Sequence, residues 1–299
     1  VILVVGGTGR LGALVTAQLA AGGRPVRVLS RGLHAPAPQA HTHLDVVVGD
    51  VRDRVAVGQA MQGVSVVVSA VQGFAGPGRV SPASVDRDGN AVLVDVARRL
   101  GAELVLVSTC GAARDASWDL CRMKFAAEEA AWASGCPTTV IRPAAFVQTW
   151  LQVLADSAGR SQRPKVLGRG DNPIPWVDVA EVAALVVAAV EDPALRGRTL
   201  DLVGPERLSL DGLARSMMAG LGWPGTPVHV PRPVVRTAAW TLGLVAPQLR
   251  RICLGALAMD EMSHPDDRET RALFPDLAAT PAHLVAARLS ANGTVRPLR

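Results

Sequence analysis

Short runs of apolar, mostly β-branched residues recur along the first half of the chain, separated by stretches with helical spacing. Residues 1–5 (Val-Ile-Leu-Val-Val) carry no polar interruption and read as a strand buried on both faces. Further strands are predicted at 25–30, 45–49, 64–71, 103–108 and 138–143. Helices are predicted after residue 10 (Leu11, Leu14, Val15, Leu19) and at 55–61, 86–100 and 120–134. Strands alternating with helices imply an α/β fold, a Rossmann-like, doubly wound parallel sheet covered on both faces. The stretch from Phe74 to Val85 is rich in Gly, Pro and Ser and predicts a mobile connection.

Past residue 145 the pattern loosens. Helices are predicted at 146–158, 179–190 and 210–221, the last begun by Ser209 as N-cap, with short strands at 165–167, 199–203 and 227–230. From Pro231 the chain is mostly helical and punctuated by proline. The expected division is a core of residues 1–145 and a smaller, mostly helical region, 146–299, interleaved with it and shaping a substrate cleft. Trp240, Leu242, Leu244 and Val245 are open to the core, a partner subunit or a membrane surface, with the core as the default.

The first apolar run ends in Gly6-Gly7-Thr8-Gly9-Arg10-Leu11-Gly12. A strand passing through a glycine-spaced turn into a helix is the setting in which a dinucleotide pyrophosphate binds. Gly6 allows the tight turn, Gly9 lets the backbone approach the phosphates, and Gly12 lets the helix pack close to the strand. The first N–H groups of the helix, at its positive dipole end, then face the anion. The tip of the second strand decides between cofactors. A carboxylate there would bind the ribose 2′-hydroxyl of NAD, but the tip is Leu29-Ser30-Arg31. Arg31 offers planar donors to a 2′-phosphate, Ser30 a hydroxyl, and Arg10 reaches toward the same group, so NADP(H) is favoured over NAD(H). The alternative is that both arginines are solvated surface residues. Ligands of such sheets bind at the carboxyl ends of the strands. That edge takes in the glycine turn, Arg31, Asp50 with Val51, Ala70 with Val71, Ser108 and Pro143.

Composition narrows the classes. With 49% apolar and 19% charged residues the chain is globular rather than disordered. Its net charge of +5 comes from scattered arginines without interleaved aromatics, which argues against a nucleic-acid footprint. Lysine occurs only at Lys124 and Lys165. The cysteines, Cys110, Cys121, Cys136 and Cys253, form no C-x-x-C pair and read as free thiols in a reducing compartment. His41 and His43 lie in a polar loop without a third ligand partner, so no metal site is expected. The apolar windows 179–190 and 234–259 are respectively too short and broken by Pro247, Arg250 and Arg251, so no membrane span is expected. With no basic-then-apolar leader before the first strand, a cytoplasmic protein is expected. The oligomeric state stays open.

Several segments together resemble one family. The glycine motif at 6–12, Gly49-Asp50-Val51-Arg52-Asp53, Ser108-Thr109-Cys110-Gly111-Ala112, Lys124 with Glu128, Ser134-Gly135, Thr139-Val140-Ile141-Arg142-Pro143 and Trp176-Val177-Asp178-Val179 with Glu181-Val182-Ala183 resemble motifs of the NmrA-like, NAD(P)H-binding group of atypical short-chain dehydrogenases/reductases. The resemblance covers about residues 1–203. It implies that Asp50 contacts the adenine and that Lys124 orients the nicotinamide ribose. The family's Tyr-x-x-x-Lys departs here: the Tyr position is Leu120, and the chain holds no tyrosine. The resemblance then leaves two options, a lysine serving in the acid/base role or a fold that binds nucleotide and catalyses nothing. The leading expectation is an NAD(P)H-dependent oxidoreductase reducing a small carbonyl, enone or quinone, with Lys124 relaying a proton. Ser108 and Thr109 either polarise a substrate carbonyl or cap the strand. The alternative is a non-catalytic nucleotide sensor or assembly protein. A sugar-nucleotide isomerase is set aside because it also relies on the missing Tyr.

Overall fold

The computed structural model describes residues 1–32, 44–74, 76, 78–243 and 245–294. The histidine-containing loop and Leu244 lie outside these. The chain forms two compact units, one of Val1–Arg142 with Ala180–Leu200, the other of Pro143–Val179 with Asp201–Arg299.

The first unit is built on a parallel sheet. Its strands are β1 (Ile2–Val5), β2 (Val26–Ser30), β3 (Leu44–Val48), β4 (Val66–Ser69), β5 (Glu103–Val107) and β6 (Thr138–Pro143), in spatial order 3-2-1-4-5-6. All five neighbouring pairs are parallel. Helices α1 (Arg10–Ala21), α2 (Arg54–Ala60), α3 (Asp88–Leu100) and α4 (Asp119–Ser134) connect them. The central strands bury every residue because helices lie on both faces, which is why their sequences show no alternation. Local chemistry sets the helix ends. Asp53 caps α2 through the N–H groups of Val55 and Ala56, and α4 stops at Gly135 in the left-handed conformation. Strand order reverses between β1 and β4, the crevice in which ligands of such sheets bind.

The stretch before α3 differs from the expected loop. Pro82–Arg87 is a π-helical turn that runs into α3, begun by Ser81 and Ser84, whose side chains bond each other's backbone N–H. Proline at the first position and this reciprocal cap outweigh the loop-forming composition.

The second unit packs α5 (Val147–Ala158) against α7 (Leu210–Leu221) and α11 (Ala282–Ala291), around Trp150 and Trp176. It also holds a two-stranded parallel sheet of β7 (Lys165–Leu167) and β9 (Val228–Val230). Ser209 caps α7 through the Gly212 N–H. Helices α8 (Arg232–Leu242), α9 (Pro247–Met259) and α10 (Arg268–Leu273) follow β9. The sheet of the first unit is completed by β8 (Thr199–Leu202) beside β6, preceded in the chain by α6 (Val179–Glu191). Trp240 and Val245, assigned to the core from sequence, are instead 77% and 81% exposed, since Val235 and Ala239 form the buried side of α8. No helix among the described residues is long and apolar enough to cross a membrane.

A Cβ on Gly12 would stand 2.2 Å from the Gly6 carbonyl oxygen, whereas one on Gly58 in α2 meets nothing. Gly12→Ala is therefore expected to lower the unfolding free energy by about 1–3 kcal/mol. Gly58→Ala is expected to raise it by up to about 1 kcal/mol through helix propensity. Urea denaturation of both variants checks the pair.

Candidate functional site

The glycine turn lies at the β1 end of the crevice. Gly6 has φ +82°, a conformation only glycine adopts without strain, and a Cβ there would stand 3.0 Å from the Ala70 carbonyl oxygen at the end of β4. The two strand ends thus approach to backbone contact. Gly9 is the N-cap of α1, and no side chain caps this helix end among the described residues. The first N–H groups of α1 are left to an anion, aided by the helix dipole. Gly12 turns out to pack on the turn itself, against Gly6 and Gly7, rather than on the strand body. The residues present fit a pyrophosphate: the glycines keep the turn's backbone close to the start of α1, whose first N–H groups no side chain caps.

Ser30 and Thr8 join this turn to the tip of β2, with their hydroxyl oxygens 2.9 Å apart. Ser30 is buried, while Arg31 next to it is exposed and makes no ion pair among the described residues. Arg10 is exposed at the start of α1. Beyond β3, Asp50 is held by Arg52 through Nε at 2.8 Å and Nη2 at 2.7 Å. These bonds keep its carboxyl below the usual carboxylate range, with Arg31 adding to the effect. Val51 is buried against Gly89 of α3.

Past β4 and β5 the edge holds a buried polar network. Lys124 is 3% exposed. Its Nζ donates to the carbonyl oxygens of Val71 at 2.9 Å and Val107 at 2.8 Å, and pairs with Asp86 Oδ1 at 3.0 Å. Asp86, fully buried, accepts the Gly73 N–H on its other oxygen at 2.8 Å. Burial pushes the Asp86 carboxyl up, against the opposing pull of Lys124 and the Gly73 N–H. Asn90 extends the network, donating to the Asp86 carbonyl and accepting from Ser69. Two N–H groups of the ammonium thus go to backbone carbonyls, and the Asp86 carboxylate lies within ion-pair distance of the same nitrogen. The Ser108 hydroxyl likewise donates to buried Glu128, which Arg142 holds through Nε at 3.0 Å. Ser108 is thus engaged inside the protein rather than presenting its proton to a carbonyl. Pro143 closes β6, and Leu120, four residues before Lys124, is buried and apolar. Burial pushes the Cys121 thiol up to about 12, so it stays protonated at neutral pH and is no nucleophile. No cluster of potential metal ligands occurs among the described residues.

Sequence reasoning missed Asp86 and Asn90 as members of the site. A signal was present. Lys124 and Glu128 fall on the buried stripe of α4 with Leu120, Cys121, Ala127 and Ala131, so both charges had to find partners inside. It also missed an aromatic pair: Phe74, just past Gly73, meets Trp118, the residue before α4, edge to face at 5.2 Å.

Comparison with known proteins gives a consistent picture. The model of a family described as NAD(P)H-binding matches residues 6–193. An NAD(P)H azoreductase of Xenophilus azovorans is 26% identical over 245 residues, 81% of this chain and 82% of that protein. A (4-alkanoyl-5-oxo-2,5-dihydrofuran-3-yl)methyl phosphate reductase of Streptomyces griseus is 30% identical over 224 residues, 75% and 74% of the two chains. The solved structure of an NADPH-dependent quinone oxidoreductase of Escherichia coli in complex with NADPH shares the fold, with a TM-score of 0.78, 17% identity and coverage of 97% and 99%.

Lys124→Met and Asp86→Asn are each expected to cost about 3–5 kcal/mol of stability, because each leaves the other charge or polar group buried without its partner. The double variant should cost less than the sum by about 1–3 kcal/mol in a urea-denaturation cycle. Strict additivity would mean that the two groups do not depend on one another.

Proposed function

Because the chain belongs to the NAD(P)H-binding family, we propose that it is an NADPH-dependent reductase of conjugated acceptors, a quinone, enone or azo compound. The observation that carries this reading is the engagement of Lys124 and Ser108 inside the protein, in a chain without tyrosine. Reduction of a simple ketone needs a positioned acid, because the alkoxide that forms is strongly basic. A quinone or conjugated acceptor delocalises the charge it receives and takes its proton from water. When bound, the dihydronicotinamide would supply the hydride. The chain's own residues then hold and orient. The N-terminus of α1 and the glycine turn bind the pyrophosphate, with Thr8 and Leu11 at the turn and Ala70 and Val71 across the crevice. Arg31 and Arg10 bind the 2′-phosphate, and Asp50 and Val51 meet the adenine. Lys124 keeps the ends of β4 and β5 in register, as a positioning residue.

The same engaged Lys124 and Ser108 favour one second reading, a nucleotide-binding protein without catalysis. Nicotinamide oxidation in the presence of a benzoquinone, an azo dye, a cyclic enone and a simple ketone separates the two. The proposal expects turnover of the conjugated acceptors and none of the ketone. It expects NADPH to be preferred over NADH by about tenfold, or ~1.4 kcal/mol, a preference that Arg31→Ala abolishes. Nucleotide binding by calorimetry without turnover of any acceptor would favour the second reading. Equal use of NADH and NADPH would contradict the role of Arg31.

A further inference from the structure

Asp50 and a 2′-phosphate carry charge of one sign, yet both belong to the adenine end of the proposed cofactor site. The two strand tips there are neighbours. Val48 of β3 is in register with Ser30 of β2, and the Gly49 N–H donates to the Ser30 carbonyl oxygen at 2.8 Å. Arg31 and Asp50 therefore leave adjacent strand ends on the same edge. Arg52 first, and Arg31 after it, hold the Asp50 carboxyl below its ordinary range. A bare carboxylate in that place would oppose any phosphate that Arg31 holds. Asp50 is not bare. Arg52 Nε donates to its Oδ1 at 2.8 Å and Nη2 to its Oδ2 at 2.7 Å, a two-point pair. The Arg52 backbone N–H adds a third bond to Oδ1 at 2.9 Å. The next carboxylate, Asp53, is committed to the start of α2, where it accepts the N–H groups of Val55 and Ala56.

The Arg52 and Asp50 side chains are 35% and 27% exposed, and an ion pair so open to water adds little to stability. Its effect on a bound anion is larger, because a phosphate monoester carries close to two negative charges at neutral pH. The pair also leaves Asp50 usable. A carboxylate offers about four acceptor positions and Arg52 takes three of them, so one remains for an adenine amino group. Building on the NADPH site proposed for this edge, we infer that Arg52 is a positioning residue that sets cofactor choice: it cancels the charge of Asp50, so that Asp50 can meet the adenine while Arg31 holds a 2′-phosphate close by. NADH carries a hydroxyl in place of that phosphate and gains nothing from the cancellation.

Calorimetric titration of NADPH and of NADH into the parent, Arg52→Leu, Asp50→Asn and the double variant tests this without any turnover. Arg52→Leu should weaken NADPH about fivefold and leave NADH within about twofold of the parent, so NADH binding also reports that the variant is folded. The deficit should shrink as salt is raised. Asparagine keeps the acceptor for the Arg52 N–H, and Asp50→Asn leaves the guanidinium unopposed, so this variant should shift the NADPH-to-NADH ratio the other way. With both charges gone, the double variant should return the ratio to within about twofold of the parent's. Equal weakening of NADPH and NADH in Arg52→Leu would overturn the proposal, because it would show that Arg52 only shapes the loop. So would a ratio in the double variant as low as in Arg52→Leu. Either result leaves the nucleotide site itself standing. A parent that binds neither nucleotide would overturn the proposal together with the site on which it rests.

Discussion

The edge of the sheet where a nucleotide would lie depends on one ammonium group buried between two strand ends. Lys124 reaches from α4 to the carbonyl oxygens that follow β4 and end β5, and Asp86 neutralises it from the turn that opens α3. A carbonyl at the end of a parallel strand has no ladder partner and, once buried, must find a donor elsewhere. One lysine meets two such carbonyls. The ion pair is costly to desolvate, and its presence is better explained by what it fixes than by any gain in stability. It ties Val71, Gly73, Val107, α3 and α4 into one arrangement facing the glycine turn.

This arrangement accords with the proposed reading, in which the site works without a tyrosine acid. With Leu120 buried one turn before Lys124 and Ser108 bonded to Glu128, the proposed site would offer shape, apolar surface and anion-binding backbone rather than a proton. Chemistry that needs only a hydride and a well-oriented acceptor fits such a site. The buried thiol of Cys121, held protonated, adds no reactive group beside Lys124.

Much of the fold was legible because its determinants are local. Uninterrupted β-branched runs marked the buried strands, the glycine turn marked the first crossover, and Ser209 marked the start of α7. The turn at Pro82–Arg87 was hidden because its composition is that of a loop, and only the reciprocal cap of Ser81 and Ser84 makes it helical. Within the site, Lys124 could be singled out but its partners could not. Asp86 lies far from it in sequence, and the carbonyls of Val71 and Val107 leave no trace in residue identity. The exposure of Trp240 was hidden for a different reason: an apolar side chain carries no mark of which face of its helix is buried until the neighbouring elements are in place.

The most direct test of the buried tie uses the scarcity of lysine. Lys124 and Lys165 are the chain's only lysines, and Lys165 is exposed. Brief treatment of the native protein with an amine-acylating reagent, read by peptide mass spectrometry, should modify Lys165 and leave Lys124 intact until denaturant unfolds the chain. Acylation of Lys124 in the native protein at a rate comparable to that of Lys165 would contradict the account, because it would show an ammonium open to solvent and free to act on a substrate.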